Sequence, residues 1–162
     1  MWKSGRMRAT RPHMPGYGVL PADEGERLLP FEWAEERLRD ARNYWVATVG
    51  PGGPHLMAVW GVWLDRRFVF STGRKSRKAR NLAAEPRCVV APEGAAEEIV
   101  VEGVAEETIA TDAFVEAYRE KYDFDITSLG EPVFTVTPAK VIALIEAEEH
   151  FAGTATRWIF GD

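Results

Sequence analysis

Between Tyr44 and Thr72 the chain packs three β-rich segments so closely that hairpins are their natural connection. Tyr44-Trp45-Val46-Ala47-Thr48-Val49 is rich in β-branched and aromatic residues, and Gly50-Pro51-Gly52-Gly53-Pro54 supplies a turn. His55 to Leu64 is the second segment, Asp65-Arg66-Arg67 the next turn, and Phe68-Val69-Phe70-Ser71-Thr72 the third. Linkers this short leave no room for the crossover that parallel pairing needs, so the three strands form an antiparallel meander. Arg87 to Ala91 and about Glu98 to Glu106, joined through Pro92-Glu93-Gly94-Ala95-Ala96, extend it. Val133 to Thr137, Val141 to Glu146 and Thr154 to Phe160 read as closing strands. A small sheet with so many strands is protected most simply by closing on itself. The expectation is a mainly β fold, an antiparallel β-barrel with short peripheral helices.

Three helices fit between the strands. Pro30 opens one to about Arg42, with Phe31, Ala34, Leu38 and Ala41 along one face; Ser76 caps a second to about Ala84, ended by Pro86; Asp112 caps a third to about Tyr122. Before them, residues 1–28 are rich in Gly and Pro and poor in apolar side chains, which reads as an irregular arm ahead of one domain at 29–162. A chain of 162 residues that is 46% hydrophobic can build one core without disulfides. The single cysteine, Cys88, sits beside Val89 and Val90 like a small buried hydrophobe, which fits a reducing compartment. The net charge of -5 argues against nucleic acid or an anionic membrane as partner. No segment reads as a secretory signal or a membrane span, so the expected location is the cytoplasm.

Against this acidic background one segment stands out. Phe70-Ser71-Thr72-Gly73-Arg74-Lys75-Ser76-Arg77-Lys78-Ala79-Arg80-Asn81-Leu82 places five basic residues between Arg74 and Arg80, at the junction of a strand and a helix. The unbonded N–H groups of the helix's first turn, the helix dipole and the cations Arg77 and Lys78 converge on one space, and Ser71 and Thr72 bring hydroxyls from the strand end. That combination suits the phosphate of a small molecule. The same run is also compatible with a solvated turn, or with RNA stacking on Trp60 and Trp63. Neither a Gly-x-Gly-x-x-Gly fingerprint nor a Walker-type loop is present.

The order of Pro54-His55, Val59-Trp60-Gly61-Val62-Trp63, Phe70-Ser71-Thr72, Ser76 to Leu82, Glu85-Pro86-Arg87 and Val100-Val101-Glu102-Gly103 resembles the pyridoxamine 5'-phosphate oxidase-like family of flavin-binding split β-barrels, which includes deazaflavin-dependent reductases. The likeness covers roughly Phe31 to Phe160. It implies a split barrel that binds FMN or the deazaflavin coenzyme and passes hydride between that cofactor and a small-molecule substrate. Carried onto this sequence, it implies a phosphate held by Ser71, Thr72, Ser76, Arg77 and Lys78, with the strand through His55, Met57, Ala58, Val59 and Trp60 beside the ring. It implies a homodimer with the cofactor at the interface, where Arg157 and Trp158 either face the partner's cofactor or pack in the core. Nothing after Trp158 supplies the Arg and His pair of the vitamin-forming oxidase, so oxidation of pyridoxamine phosphate is not implied. The strand from Leu56 to Gly61 also lacks the basic residues common there in the family.

No side chain is singled out as an acid, base or nucleophile. His13, His55 and His150 are scattered without metal-ligand spacing, so no metal site is expected. Some related barrels bind haem, for which His55 or His150 would be the axial ligand. The rival to an oxidoreductase is therefore a carrier or sensor that binds flavin or haem without turnover.

Overall fold

A computed structural model describes residues 6–161, and its architecture is mainly β. The described strands are β1 (Arg8–Thr10), β2 (Tyr44–Gly50), β3 (Gly53–Val59), β4 (Val62–Leu64), β5 (Arg67–Ser71), β6 (Arg87–Pro92), β7 (Glu97–Thr108), β8 (Val133–Ile145) and β9 (Thr156–Ile159). The helices are α1 (Phe31–Asp40), α2 (Arg77–Ala84), α3 (Asp112–Tyr122) and α4 (Glu148–Thr154), with a 3-10 turn at Ile126–Leu129.

All pairings are antiparallel, and they form a circuit. β3 pairs with β2, β2 with β6, β6 with β7, β7 with β8, and β8 with β5. β5 pairs with β4, which continues β3 after a break at Trp60-Gly61. The barrel therefore closes through one strand split in two. β8 has β7 along one edge; its other edge serves β5 from Val133 to Val136 and β9 from Lys140 to Ala143. Within the N-terminal arm, β1 adds to β9 at the sheet's end.

Besides β1 in the arm that was expected to be irregular, the chain departs from the sequence reading at several points. His55 to Leu64 is not one strand, because at Gly61 a Cβ would lie 2.4 Å from the Phe68 ring. The backbone presses on the core there and turns. Val133 to Ile145 is one strand instead of two. Pro138 is tolerated because the register against β7 shifts at Glu102/Gly103, leaving Ala139 as the extra residue of a bulge. Thr111, not Asp112, caps α3, its hydroxyl accepting from the Phe114 N–H at 3.2 Å. Finally, α4 fills the link between the last two expected strands, to which no helix had been assigned, and the final strand starts at Thr156 instead of Thr154.

The main core fills the barrel with Val46, Phe68, Phe70, Val90, Val101 and Val136, to which α1 adds Phe31, Ala34 and Leu38, and α2 adds Ala79 and Leu82. Burying a side chain such as Phe31 or Leu38 contributes about 1.5–3 kcal/mol. Trp158 belongs to this core, fully buried and edge-on to Phe31, which decides its role as packing; Arg157 donates to the Thr10 hydroxyl. A second cluster, with Phe114, Tyr118 and Tyr122, packs α3 against Val62 and Val69. Cys88 is buried, and burial pushes its thiol up to about 12, so it is inert. Among the described residues no helix is long and apolar enough to cross a membrane.

Candidate functional site

The basic segment between β5 and α2 resolves into separate jobs. Arg74 is held by acids: its backbone N–H donates to Glu131 at 2.7 Å and its guanidinium pairs with Glu107 at 2.7 Å. Arg77 reaches across to the β2–β3 turn and donates to the carbonyls of Gly52 at 2.8 Å and Gly53 at 3.3 Å. Ser76 caps α2 by accepting from the Ala79 N–H at 3.1 Å, and its hydroxyl lies 3.3 Å from that of Thr72. This cap leaves the Arg77 and Lys78 amides of the first turn unbonded.

Lys78 is the exception among the cations. Only 6% of it is exposed, yet its ammonium has no hydrogen-bond or ion-pair partner among the described residues. Burial lowers its pKa. Across from it, β3 places His55 opposite Thr48 of β2, and the His55 Nδ1 is buried without a partner. Desolvation, then Arg77 and then Lys78, push the imidazole below its ordinary value, which keeps it neutral at pH 7. The stem of Lys78 is buried while its unpaired ammonium reaches solvent beside the buried His55 nitrogen, an arrangement that offers an incoming anion a charge-assisted contact. The floor of this space is rigid: the buried Asn81 donates to the Thr48 hydroxyl at 3.0 Å, fixing α2 on β2.

Ser71 is less available than its position implied, because its hydroxyl donates to the Pro132 carbonyl at 2.9 Å. Along β3 the side chains alternate. His55, Met57 and Val59 share the face of Thr48, Val46 and Tyr44, while Leu56 and Ala58 share the opposite face with Ala47 and Trp45. Among the described residues β3 pairs with β2 on one side only, so its other edge offers free backbone donors and acceptors. Trp63, considered beside Trp60 at the outset, is a core residue whose indole N–H reaches Glu35 at 3.2 Å. Trp60 remains half exposed.

Three residues near Trp60 escaped the sequence reading. Lys121 donates to the carbonyls of Arg39 at 3.0 Å and Gly61 at 3.2 Å and to the Tyr44 hydroxyl at 2.7 Å. Tyr122 accepts from the Gly61 N–H at 2.9 Å, and its hydroxyl lies 2.7 Å from the Gly61 carbonyl and 2.8 Å from that of Arg42. Arg42 flanks the rings of Trp60 and Tyr122. The only sequence signal was Tyr118 and Tyr122, four apart on one helix face.

This fold, a β-barrel closed through one strand split in two, is that of the pyridoxamine 5'-phosphate oxidase-like split barrels. The sequence matches the pyridoxamine 5'-phosphate oxidase family over residues 32–149, well over half of the chain, and the protein belongs to that family. No curated protein matches it significantly. Among solved structures, a conserved hypothetical protein from Mycobacterium tuberculosis superposes with a TM-score of 0.63 at 22% identity, covering 74% of this chain and 86% of that one. An F420 reductase superposes at 0.55 and 25% identity, covering 66% and 94%. The haem storage protein of Vibrio cholerae superposes at 0.56 and 17%, covering 66% and 88%.

Proposed function

We propose that the protein binds FMN or the deazaflavin coenzyme by its phosphate at the start of α2 and serves as an oxidoreductase on a small organic substrate. The observation that carries this reading is Lys78, a largely buried side chain whose ammonium has no partner among the described residues, beside a buried imidazole nitrogen with none. A phosphate fits the donor set: one ammonium, two free amides of a helix start, and the Thr72 hydroxyl. Arg77 contributes field while it holds the hairpin. When bound, the cofactor supplies the hydride chemistry, and the protein supplies position and electrostatics. Met57, Ala58 and Val59 would flank the ring, and the free edge of β3 would meet its polar rim. The resemblance to an F420 reductase keeps the deazaflavin beside FMN as the cofactor.

Titrating FMN and the deazaflavin coenzyme into the purified protein and into Lys78→Ala tests this. Loss of one charge-assisted contact weakens binding by about 10- to 100-fold. The apo variant should melt no earlier, since the substitution removes a desolvated charge. Equal affinity in both proteins would sink the reading.

A carrier that binds haem is the second reading. His150 donates from Nδ1 to the Glu26 carboxylate at 2.7 Å, which leaves His55, among the described residues, as the histidine with an unpartnered buried nitrogen. Haemin titration of wild type and His55→Ala separates the two: a Soret shift that depends on His55, with no flavin binding, selects the carrier.

We also propose a homodimer. The outer face of β2, β3, β6 and β7 carries Trp45, Val49, Leu56 and Val104, all exposed, around an apolar groove of about 440 Å³. Exposed apolar faces of this kind mark interfaces, and this one shares β3 with the cofactor site.

A further inference from the structure

The break between β3 and β4 carries a cluster that cofactor binding leaves unused. Trp60 lies flat on Tyr122, with ring centroids 4.6 Å apart and planes 9° apart. The Arg42 Cζ lies 5.4 Å from the Trp60 centroid and 5.5 Å from that of Tyr122. Equal distances from two parallel rings put the guanidinium beside the stack, not on the outer face of the indole. Tyr118 does not cover that face either: it lies 4.7 Å from Tyr122 and 6.5 Å from Trp60, which sets it almost at a right angle to the stacking direction. Phe124 stands 6.5 Å from Trp60 at 68°, as a side wall.

Trp60 consequently keeps 38% of its surface exposed. Arg42 is also exposed and has no ion-pair partner among the described residues, in a chain with 25 acidic residues. The shelf is preorganised, because Tyr122 and Lys121 pin Gly61 and the Arg39–Arg42 backbone from below. Little freedom remains to be lost when a ligand settles on it. From His55 to Trp60 the chain advances about 16 Å at ~3.3 Å per residue, so a cofactor anchored at Lys78 and laid along β3 points its ring toward this shelf.

We propose that the Trp60 face and the Arg42 guanidinium form the substrate subsite, and that it takes a flat aromatic carboxylate, ring on indole and carboxylate on guanidinium. Its role as a substrate subsite rests on the cofactor reading above; the binding itself belongs to the cofactor-free protein. A saturated carboxylate gains only the charge contact, and a neutral aryl compound only the stacking.

Calorimetric titration of cofactor-free protein with 2-naphthoate tests this, with 2-naphthamide and cyclohexanecarboxylate as comparisons. 2-Naphthoate should bind at least tenfold more tightly than either. Arg42→Gln should lower its affinity about tenfold and leave that of 2-naphthamide unchanged; Trp60→Leu should weaken both aryl compounds. Equal 2-naphthoate binding by wild type and Arg42→Gln, or no binding to wild type, overturns the proposal. Displacement of 2-naphthoate by saturating FMN or deazaflavin overturns it too, because the indole would then hold the cofactor ring. Lys78→Ala should bind 2-naphthoate normally. If wild type takes 2-naphthoate but neither cofactor, the cofactor reading fails while the aryl site stands.

Discussion

Lys121 shows how a single side chain can fasten the break in a split strand to a neighbouring helix. Its three donors go to Arg39, Tyr44 and Gly61, and the Tyr44 hydroxyl in turn donates to the Leu38 carbonyl. The end of α1 is thereby tied to the break between β3 and β4. Burial lowers the Lys121 pKa from 10.5 to about 8, with Asp40 opposing and Arg42 reinforcing the shift. Below about 8 both folded and unfolded chains carry this proton, and the cost of burying the charge is present in full. Between about 8 and 10.5 the unfolded chain binds more protons, so this group adds stability as pH rises. Urea unfolding of wild type and Lys121→Met should therefore give parallel stabilities below pH 8 and a rising advantage for wild type from there to about 10.5. Curves that stay parallel throughout would mean that Lys121 is not desolvated in the fold.

At the scale of elements, α2 joins the core to the anion site, and its cap is where the two meet. Ser76 accepts from Ala79 and touches Thr72, so its hydroxyl orders the first turn whose free amides face Lys78's space. Ser76→Ala should cost about 1 kcal/mol by thermal or urea unfolding and also weaken cofactor binding, with Ser76→Thr retaining most of both. A stability loss with unchanged cofactor affinity would detach the cap from the site. The elements that were legible in the sequence are the ones written in local chemistry: the β2–β3 turn in Gly and Pro, the α2 cap in Ser76, the end of α2 in Pro86. β8 was misread as two strands because Pro138 carries the same local signal whether a strand ends or bulges, and only the β7 register decides. The basic run pointed to a phosphate site, and the structure shows how its residues are arranged. Its division of labour was hidden, since Arg74 is neutralised by Glu107 and Glu131 from distant parts of the chain while Lys78 is left alone. The Trp60 shelf was invisible for the same reason: Arg42, Trp60 and Tyr122 meet only once α1, β3 and α3 have packed.

For the whole molecule, the two faces of β3 impose different demands. One face carries His55 and Met57 on the side of Thr48 and the start of α2, where we place the phosphate; the other carries Leu56, 57% exposed, into the apolar outer surface with Trp45 and Val49. A chain with net charge -5 resists indiscriminate association, so an apolar face of this extent is selective. On a two-fold axis the patch meets itself, and Arg87 and Glu102, which line the same groove, are already paired with Glu85 and Lys140 within the protomer, so covering the face leaves neither charge alone. Leu56→Glu places two like charges in that interface, whereas in the isolated protomer the same side chain meets water. Sedimentation should show a dimer for the wild type and a monomer for Leu56→Glu, with the thermal melt of the monomer concentration-independent. Because the substituted side chain points away from His55, residual cofactor binding by the monomer measures what one protomer can hold alone. A variant that remains dimeric would move the interface off this sheet, and a wild type that sediments as a monomer would leave the apolar face to a different partner.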